Sequence, residues 1–213
     1  MKKENLQKQK RIAMSFFGVI VTGFCIGAFQ KAGLGADPFT CFVTGIANLF
    51  HSTYGTFYMI VTGALLIGVF FAEKHYIGIA TVINLLFTGM AADFMKNLLD
   101  NLFPAPGIAA RIVMMLAGIF GTCFAASVYF TADLGVSAYD AVSLIAANKY
   151  KLMPFRLCRI TSDCLCVLTG LLCHVTIGVG TVVTALFMGP VVQWFNTHVS
   201  EPFLYGQSEK PEH

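Results

Sequence analysis

The chain has 213 residues, of which 56% are hydrophobic and only 12% are charged. A soluble domain of this size usually carries about a quarter charged residues, so this composition excludes an ordinary globular protein. The net charge of +3 comes from flanking segments such as residues 1–11 and 148–159. There are no basic-aromatic patches of the kind that bind nucleic acid, so no nucleic-acid partner is expected.

Six apolar runs follow one another along the chain, and a bilayer crossing takes ~20 such helical residues. They cover residues 12–30, 56–72, 77–95, 112–131, 160–173 and 177–195. A globular core can bury one run of this kind but hardly six, so the sequence predicts an all-α integral membrane protein. The basic N-terminus lacks a small-residue cleavage site, which favours a retained first span over a signal peptide.

Two shorter apolar segments, residues 38–50 and 139–148, lie between the long runs. In the first, Asp37 is a helix-capping residue and Pro38 occupies the first helical position, where its missing N–H is harmless. Segments of roughly 10–14 residues are too short to cross a bilayer. We therefore predict re-entrant or shallow helices. Non-helical backbone such as residues 31–37 is tolerated at membrane depth only inside protein or beside a watery cavity.

The chain also resembles itself at an offset of about 100 residues. Residues 11–18 return as 111–118, residues 32–35 as 132–135, and residues 77–82 as 177–182. The absence of gaps and the matching glycines indicate two tandem homologous repeats, each with three transmembrane helices and one short helix. The predicted divisions are a cytoplasmic basic tail (1–11), repeat 1 (12–100), repeat 2 (101–198) and a C-terminal tail (199–213).

Two topologies are compatible with this pattern. If the short helices turn back, each half has three crossings and the halves are inverted; if they cross, there are eight spans and parallel repeats. Both place most Lys and Arg residues in the cytoplasm, so the positive-inside rule does not choose between them. Segment length favours the first. Both predict a multi-pass protein of the bacterial inner membrane with a cytoplasmic N-terminus and a cytoplasmic C-terminus.

Several short motifs resemble those of a known family. They are Ala32-Gly33-Leu34-Gly35-Ala36-Asp37-Pro38, Thr53-x-Gly55-Thr56 and Gly89-x-x-x-Asp93 in the first half, with Leu134-Gly135-x-x-x-x-Asp140 and Arg156-x-x-Arg159 in the second. Together they resemble the YczE/YyaS/YitT family of bacterial integral membrane proteins, over residues 11–195. The resemblance implies a transporter or permease without assigning a substrate. The chain departs from the pattern at Glu73-Lys74-His75, where relatives are richer in arginine.

The candidate binding residues lie at the two short-helix N-termini and on the following polar segment. They are Asp37, Pro38, Tyr139, Asp140, Arg156, Arg159 and Asp163. A helix N-terminus carries partial positive charge, and broken helices in transporters aim such ends at anionic groups. Arg159 and Asp163 are four residues apart and share a helix face, where Asp140 could meet them. The alternatives are that Asp37 only caps its helix and that the arginines are cytoplasmic anchors.

These features predict a transporter or permease for a small, anionic or zwitterionic solute at the interface of the two repeats. The alternative is a non-transporting accessory protein that stabilises or regulates another membrane complex. The layout is similar to aquaporin-type channels, although no Asn-Pro-Ala motif is present. No catalytic motif indicates an enzyme. We expect no metal and no cofactor; the partners are the lipid bilayer, the solute and, through glycine-lined faces, a second copy of the chain.

Overall fold

The computed structural model describes residues 2–205 and the side chains of residues 7–155 and 157–204. The described chain is helical and contains no strand. Its helices are α1 (Lys2–Ala32), α2 (Pro38–Leu49), α3 (Tyr54–Ala72), α4 (Ile79–Leu102), α5 (Ile108–Ala132), α6 (Ala138–Asn148), α7 (Phe155–Leu172), α8 (Val179–Phe195) and the short α9 (Glu201–Tyr205). A 3-10 turn (Lys74–Tyr76) precedes α4, and a π-helical turn (Asn196–Ser200) joins α8 to α9.

Five of these helices, α1, α3, α4, α5 and α8, are long and apolar enough to cross a membrane. Their outward faces carry large apolar side chains, such as Phe71, which is 82% exposed. A multi-pass membrane protein exposes such side chains to lipid, whereas a soluble monomer rarely exposes contiguous apolar surface. Helix α7 has 18 residues, but three of them, Arg156, Arg159 and Asp163, are charged. Helix α7 is therefore not among the five apolar helices.

Each predicted span corresponds to one helix, but the ends of the helices differ from the predicted ends. The first helix begins at Lys2 and includes most of the segment predicted as an N-terminal tail. Residues 199–205 of the predicted C-terminal tail are helical, and the rest of that tail lies outside the described residues. The predicted run of residues 160–173 begins earlier, at Phe155, because sequence hydropathy does not register the charged first turn as helix.

Helices α1 and α5 lie side by side and run in opposite directions. The Arg11 guanidinium donates a hydrogen bond to the Ala132 carbonyl (3.3 Å), at the end of α5. At the other end of the pair, Arg111 Nε donates to the Ala32 carbonyl (2.6 Å). Cations suit helix C-termini because the last carbonyls lack helical partners. As a consequence, the turns that follow α1 and α5 lie at opposite ends of the bundle.

Each of these turns accepts a backbone hydrogen bond from the first turn of a later helix. The Ala80 N–H at the start of α4 donates to the Leu134 carbonyl (3.1 Å), and the Gly180 N–H of α8 donates to the Leu34 carbonyl (3.0 Å). Such bonds satisfy helix N–H groups that have no intrahelical partner. The turns need glycine, because Gly35 and Gly135 have φ of +102° and +114°. In this way, residues 33–37 contact α8 and residues 133–137 contact α4.

Helix α1 packs tightly against α4, with the two helices parallel. Ring contact between Phe16 and Phe87 marks one end of the pair, and the Lys31–Asp100 ion pair (2.6 Å) marks the other. Between them, Gly23 and Gly27 leave no space for a side chain against α4. The Gly23-x-x-x-Gly27 stripe therefore serves close helix packing.

The two short helices begin inside the bundle and face each other. The ring of Phe39, the second residue of α2, stacks on the ring of Tyr139, the second residue of α6, with centroids 4.8 Å apart. Their first residues, Pro38 and Ala138, are both buried. At 1.5 Å per residue, a helix of 12 residues is only about 18 Å long. Each short helix thus runs from the interior toward one end of the bundle.

Candidate functional site

The two short helices are capped by equivalent side chains, 100 residues apart in the sequence. The Asp37 carboxylate accepts a hydrogen bond from the Thr40 N–H (3.1 Å), and the Ser137 hydroxyl accepts one from the Asp140 N–H (3.1 Å). These bonds satisfy one free N–H of each helix start. Ser137 was missed by the sequence analysis, although the repeat offset from Asp37 points directly to it.

Asp37 and Pro38 lie together at the start of α2. Burial raises the pKa of the Asp37 carboxyl above its ordinary value, and the bonds that it accepts from Thr40 oppose that rise. Pro38 is buried as the first residue of the helix and offers no donor to a solute. The structure therefore assigns Pro38 a part in starting the helix, while Asp37 brings a carboxylate close to the point where α2 and α6 meet.

A charged group of four side chains, here called the Arg159 cluster, joins α6 to α7. Arg159 forms an ion pair with Asp140, and its Nε lies 3.6 Å from Asp163 Oδ1. The Tyr139 hydroxyl donates to the same Asp163 oxygen (2.6 Å). The Arg159 guanidinium also lies over the Tyr139 ring, 4.6 Å from its centroid. The structure thus brings together four of the predicted residues, Tyr139, Asp140, Arg159 and Asp163.

The charged side chains of the Arg159 cluster are exposed to solvent to different degrees. The side chains of Asp140, Asp163 and Arg159 are 11%, 18% and 33% exposed. Burial, followed by hydrogen bonding to Asp163, raises the pKa of Tyr139, so that its hydroxyl stays protonated and acts as a donor. Asp140 also accepts from the Ser137 hydroxyl (2.6 Å). Two carboxylates therefore share one guanidinium, and no part of the arginine charge is left unopposed.

Arg156, the remaining predicted residue, lies in the first turn of α7. Its side chain lies outside the described residues, so its predicted part in binding stays a prediction. Among the side chains of residues 7–155 and 157–204, no three His, Cys, Asp or Glu groups are close enough together to hold a metal ion.

A polar cavity of about 400 Å³ is lined by none of the residues of the Arg159 cluster. Of the candidate binding residues, Arg159 and Asp163 do not line this cavity. It lies between α1, α2, α4 and the loop from α7 to α8. Its polar lining includes Gln30, Thr44, Asn48, Tyr54, Asp93, Lys96, Asn97 and His174. The sequence analysis missed Gln30, Thr44 and Tyr54 because each is a single neutral residue without a motif.

With this geometry in place, comparison with known proteins identifies the family. Residues 9–197 match a family described as being of unknown function, DUF6198. The chain belongs to this family. It is 26% identical over 186 residues to an uncharacterized protein of Haemophilus influenzae (strain Rd), in an alignment that covers 87% of this chain and 83% of the relative. No solved structure matches the chain.

Proposed function

We propose that this protein is a transporter or permease of the bacterial inner membrane that moves a small solute past the interface of two repeats. The Arg159 cluster is the observation that carries the proposal. Ionisable residues within a membrane bundle are costly, and they commonly mark a solute or ion pathway. Here they lie where the N-termini of two short helices meet, which is the usual position of binding sites in transporters with broken helices.

The proposal includes two inverted repeats with three crossings each. Equivalent contacts at an offset of 100 residues support it: Arg11 bonds to Ala132 as Arg111 bonds to Ala32. The antiparallel course of α1 and α5 favours inverted halves over eight spans with parallel repeats. In this arrangement the positive-inside rule assigns the N-terminus and C-terminus to the cytoplasm. The motifs around Asp37 support a relationship to YczE/YyaS/YitT proteins as part of the same proposal.

The charge of the Arg159 cluster favours a zwitterionic solute over an anionic one. Arg159 is already opposed by Asp140 and Asp163, so an anion would have to displace a carboxylate from the guanidinium. A zwitterion brings an ammonium group that can pair with the displaced carboxylate, so the exchange leaves the net charge of the cluster unchanged. A solute with an ammonium and a carboxylate group is therefore the substrate class that we propose.

Metabolite profiles of cells and medium test the proposal, because they reveal a transported compound whatever its identity. Cells express wild-type protein, Arg159→Met, Asp163→Asn or Lys149→Met, or carry an empty vector. Lys149→Met is the matched control because it removes one cation at the exposed Lys149–Glu73 pair (43% exposure for each side chain). We expect wild type and Lys149→Met to shift the same zwitterionic compounds, and both cluster variants to lose most of that shift.

Purified wild-type protein in proteoliposomes must then exchange the identified compound across the membrane. If wild-type cells resemble empty-vector cells while the folded protein is present in the membrane, the transport proposal fails. The accessory role is the second candidate, favoured by the mutual pairing of the Arg159 cluster, which suits a purely structural link. In that case Arg159→Met lowers stability and alters the set of membrane proteins that co-purify, without changing any solute.

A further inference from the structure

An apolar groove of about 370 Å³ lies on the outside of the bundle, where α3 ends. Four of its five lining side chains, Leu66, Ile67, Phe70 and Phe71, belong to the last two turns of α3, and the fifth, Ile77, lies just before α4. Phe71 is 82% exposed and Ile67 is 63% exposed. In a multi-pass membrane protein an open apolar surface of this kind faces lipid, so hydrocarbon is the chemistry that matches the lining of the groove.

A lysine lies against one wall of the groove. Lys74 Nζ is 4.5 Å from the centroid of the Phe70 ring, a distance at which a cation is attracted to the face of an aromatic ring. Lys74 is exposed, and it forms no ion pair with any side chain among residues 7–155 and 157–204. Its positive charge is therefore available to a ligand that fills the groove.

The segments around Lys74 are positively charged as a whole. Lys149 Nζ lies 3.7 Å from Glu73 Oε2 and donates a hydrogen bond to the Ala72 carbonyl at the end of α3. The carboxylate and the negative end of the helix are thus already opposed by a cation. Residues 73–76 and 148–151 together carry three lysines and a single acidic side chain. This end of the groove therefore attracts anions.

Tyrosines place the same end of the groove at the membrane surface. The Tyr76 hydroxyl accepts a hydrogen bond from the Asn148 amide (3.2 Å), and the Tyr150 side chain is 60% exposed. Tyrosine is enriched at membrane–water interfaces. The lysines consequently stand at the level of the lipid headgroups, while the groove follows α3 toward the hydrocarbon.

The equivalent place in the second half of the chain has neither the aromatic wall nor the lysine. The counterpart of Phe70, 100 residues further on, is Gly170, where a Cβ atom would lie 3.1 Å from the Cys41 carbonyl oxygen. The counterpart of Lys74 is His174, which lines the polar cavity. The combination of groove and lysine is therefore a property of these particular residues and does not follow from the helix arrangement alone.

We propose that this groove binds an anionic phospholipid, with an acyl chain against the α3 side chains and the phosphate group on Lys74. Basic sites between membrane helices bind anionic headgroups through the same combination of contacts. A zwitterionic phospholipid offers the same acyl chain, but its ammonium group opposes the attraction of its phosphate to the lysines. Lipid binding is measured without any solute, so this proposal and the transport proposal stand or fall separately.

Native mass spectrometry of the purified full chain tests the proposal. The protein is released from neutral detergent micelles that contain equal amounts of phosphatidylglycerol and phosphatidylethanolamine with identical acyl chains. We expect wild-type protein to retain phosphatidylglycerol in preference, and Lys74→Met to reduce that preference about fivefold, which is the usual contribution of one basic residue near a membrane surface. Lys74→Arg keeps the charge and should keep the preference. Lys96→Met removes an exposed lysine at the other end of the bundle and should leave the preference unchanged.

A second pair of variants tests the acyl-chain contact. Ile67→Trp fills the groove without changing any charge, and it should lower the retention of both phospholipids. Ile60→Trp adds the same bulk at a 56% exposed position of α3 that does not line the groove, and it should lower neither. Glycerol phosphate, which is the headgroup without acyl chains, should not displace phosphatidylglycerol at equal concentration.

Four results would overturn the lipid site. The first is equal retention of the two phospholipids by wild-type protein, and the second is the same loss of preference in Lys74→Met and Lys96→Met. Displacement by glycerol phosphate would mean that the site takes a free anion. Dimer masses that disappear in Ile67→Trp would assign the groove to a second copy of the chain.

Discussion

Removal of the Arg159 guanidinium tests whether the cluster is a buried ionic group or a set of solvated side chains. Arg159→Met keeps most of the length of the side chain and removes its charge. It leaves Asp140, whose side chain is 11% exposed, and Asp163, whose side chain is 18% exposed, without their cation. Breaking a fully buried pair costs about 3–5 kcal/mol. Because Arg159 is itself 33% exposed, water moderates the loss, and we expect about 2–3 kcal/mol of unfolding free energy.

The control for this loss of unfolding free energy is Lys149→Met, which breaks the exposed pair with Glu73. Exposed pairs contribute about 0–1 kcal/mol, so the control should lose at most a third to a half of the effect. The double variant Arg159→Met/Asp140→Asn should recover part of the stability, since it no longer buries an unpaired carboxylate. The assay is equilibrium unfolding of the purified proteins in mixed detergent micelles, with all variants measured at one pH and one salt concentration.

Two results would refute the reasoning. The first is an Arg159→Met loss no larger than that of Lys149→Met, which would mean that the cluster is solvated. The second is a double variant that is no more stable than Arg159→Met, because residues that form a buried pair show a coupling energy of about 0.5–3 kcal/mol. In either case the Arg159 cluster would no longer support a costly, functional group of charges inside the bundle.

Three further predictions address the packing, the cap and the topology. Gly178→Ala should sharply lower the unfolding temperature, because the added methyl group would collide with the Leu34 carbonyl. Gly63→Ala, which has open space around it, should be neutral or slightly stabilising. Equal losses of unfolding temperature in the two variants would contradict this packing. Asp37→Ala should cost about 1 kcal/mol of unfolding free energy through loss of the cap. Asp37→Asn keeps an acceptor and should be at least as stable as wild type at neutral pH, because the raised carboxyl pKa means that ionisation opposes folding there. Equal losses for the two variants in denaturant titrations would rule out capping as the cause. Cysteines introduced as Lys96→Cys and Lys149→Cys should react with a membrane-impermeant maleimide from opposite sides of the membrane. Lys96→Cys should be labelled from the external side, in spheroplasts, and Lys149→Cys from the cytoplasmic side, in inverted vesicles. Labelling of both cysteines from the same side would contradict the inverted arrangement.

The long helices could be predicted from the sequence because lipid imposes a simple rule: a crossing needs about 20 apolar residues with an internally bonded backbone. The short helix after Asp37 was predicted almost to its ends, since a cap followed by proline is a local signal. Helix ends rich in charge were predicted less well. The start of α1 at Lys2 and that of α7 at Phe155 depend on backbone bonding that hydropathy does not register.

The candidate site, like the fold, was predictable from the sequence only in part. The sequence determined which residues carry charge within apolar segments, and the spacing of Arg159 and Asp163 determined that they share a helix face. That Tyr139 and Asp140 meet them is visible only in the packed bundle, because this contact joins α6 to α7. The packed bundle is likewise needed to show that Gln30, Thr44 and Tyr54 border one cavity. Such neutral groups show no pattern along the chain, and their buried, unpartnered state exists only once three separate helices have packed together.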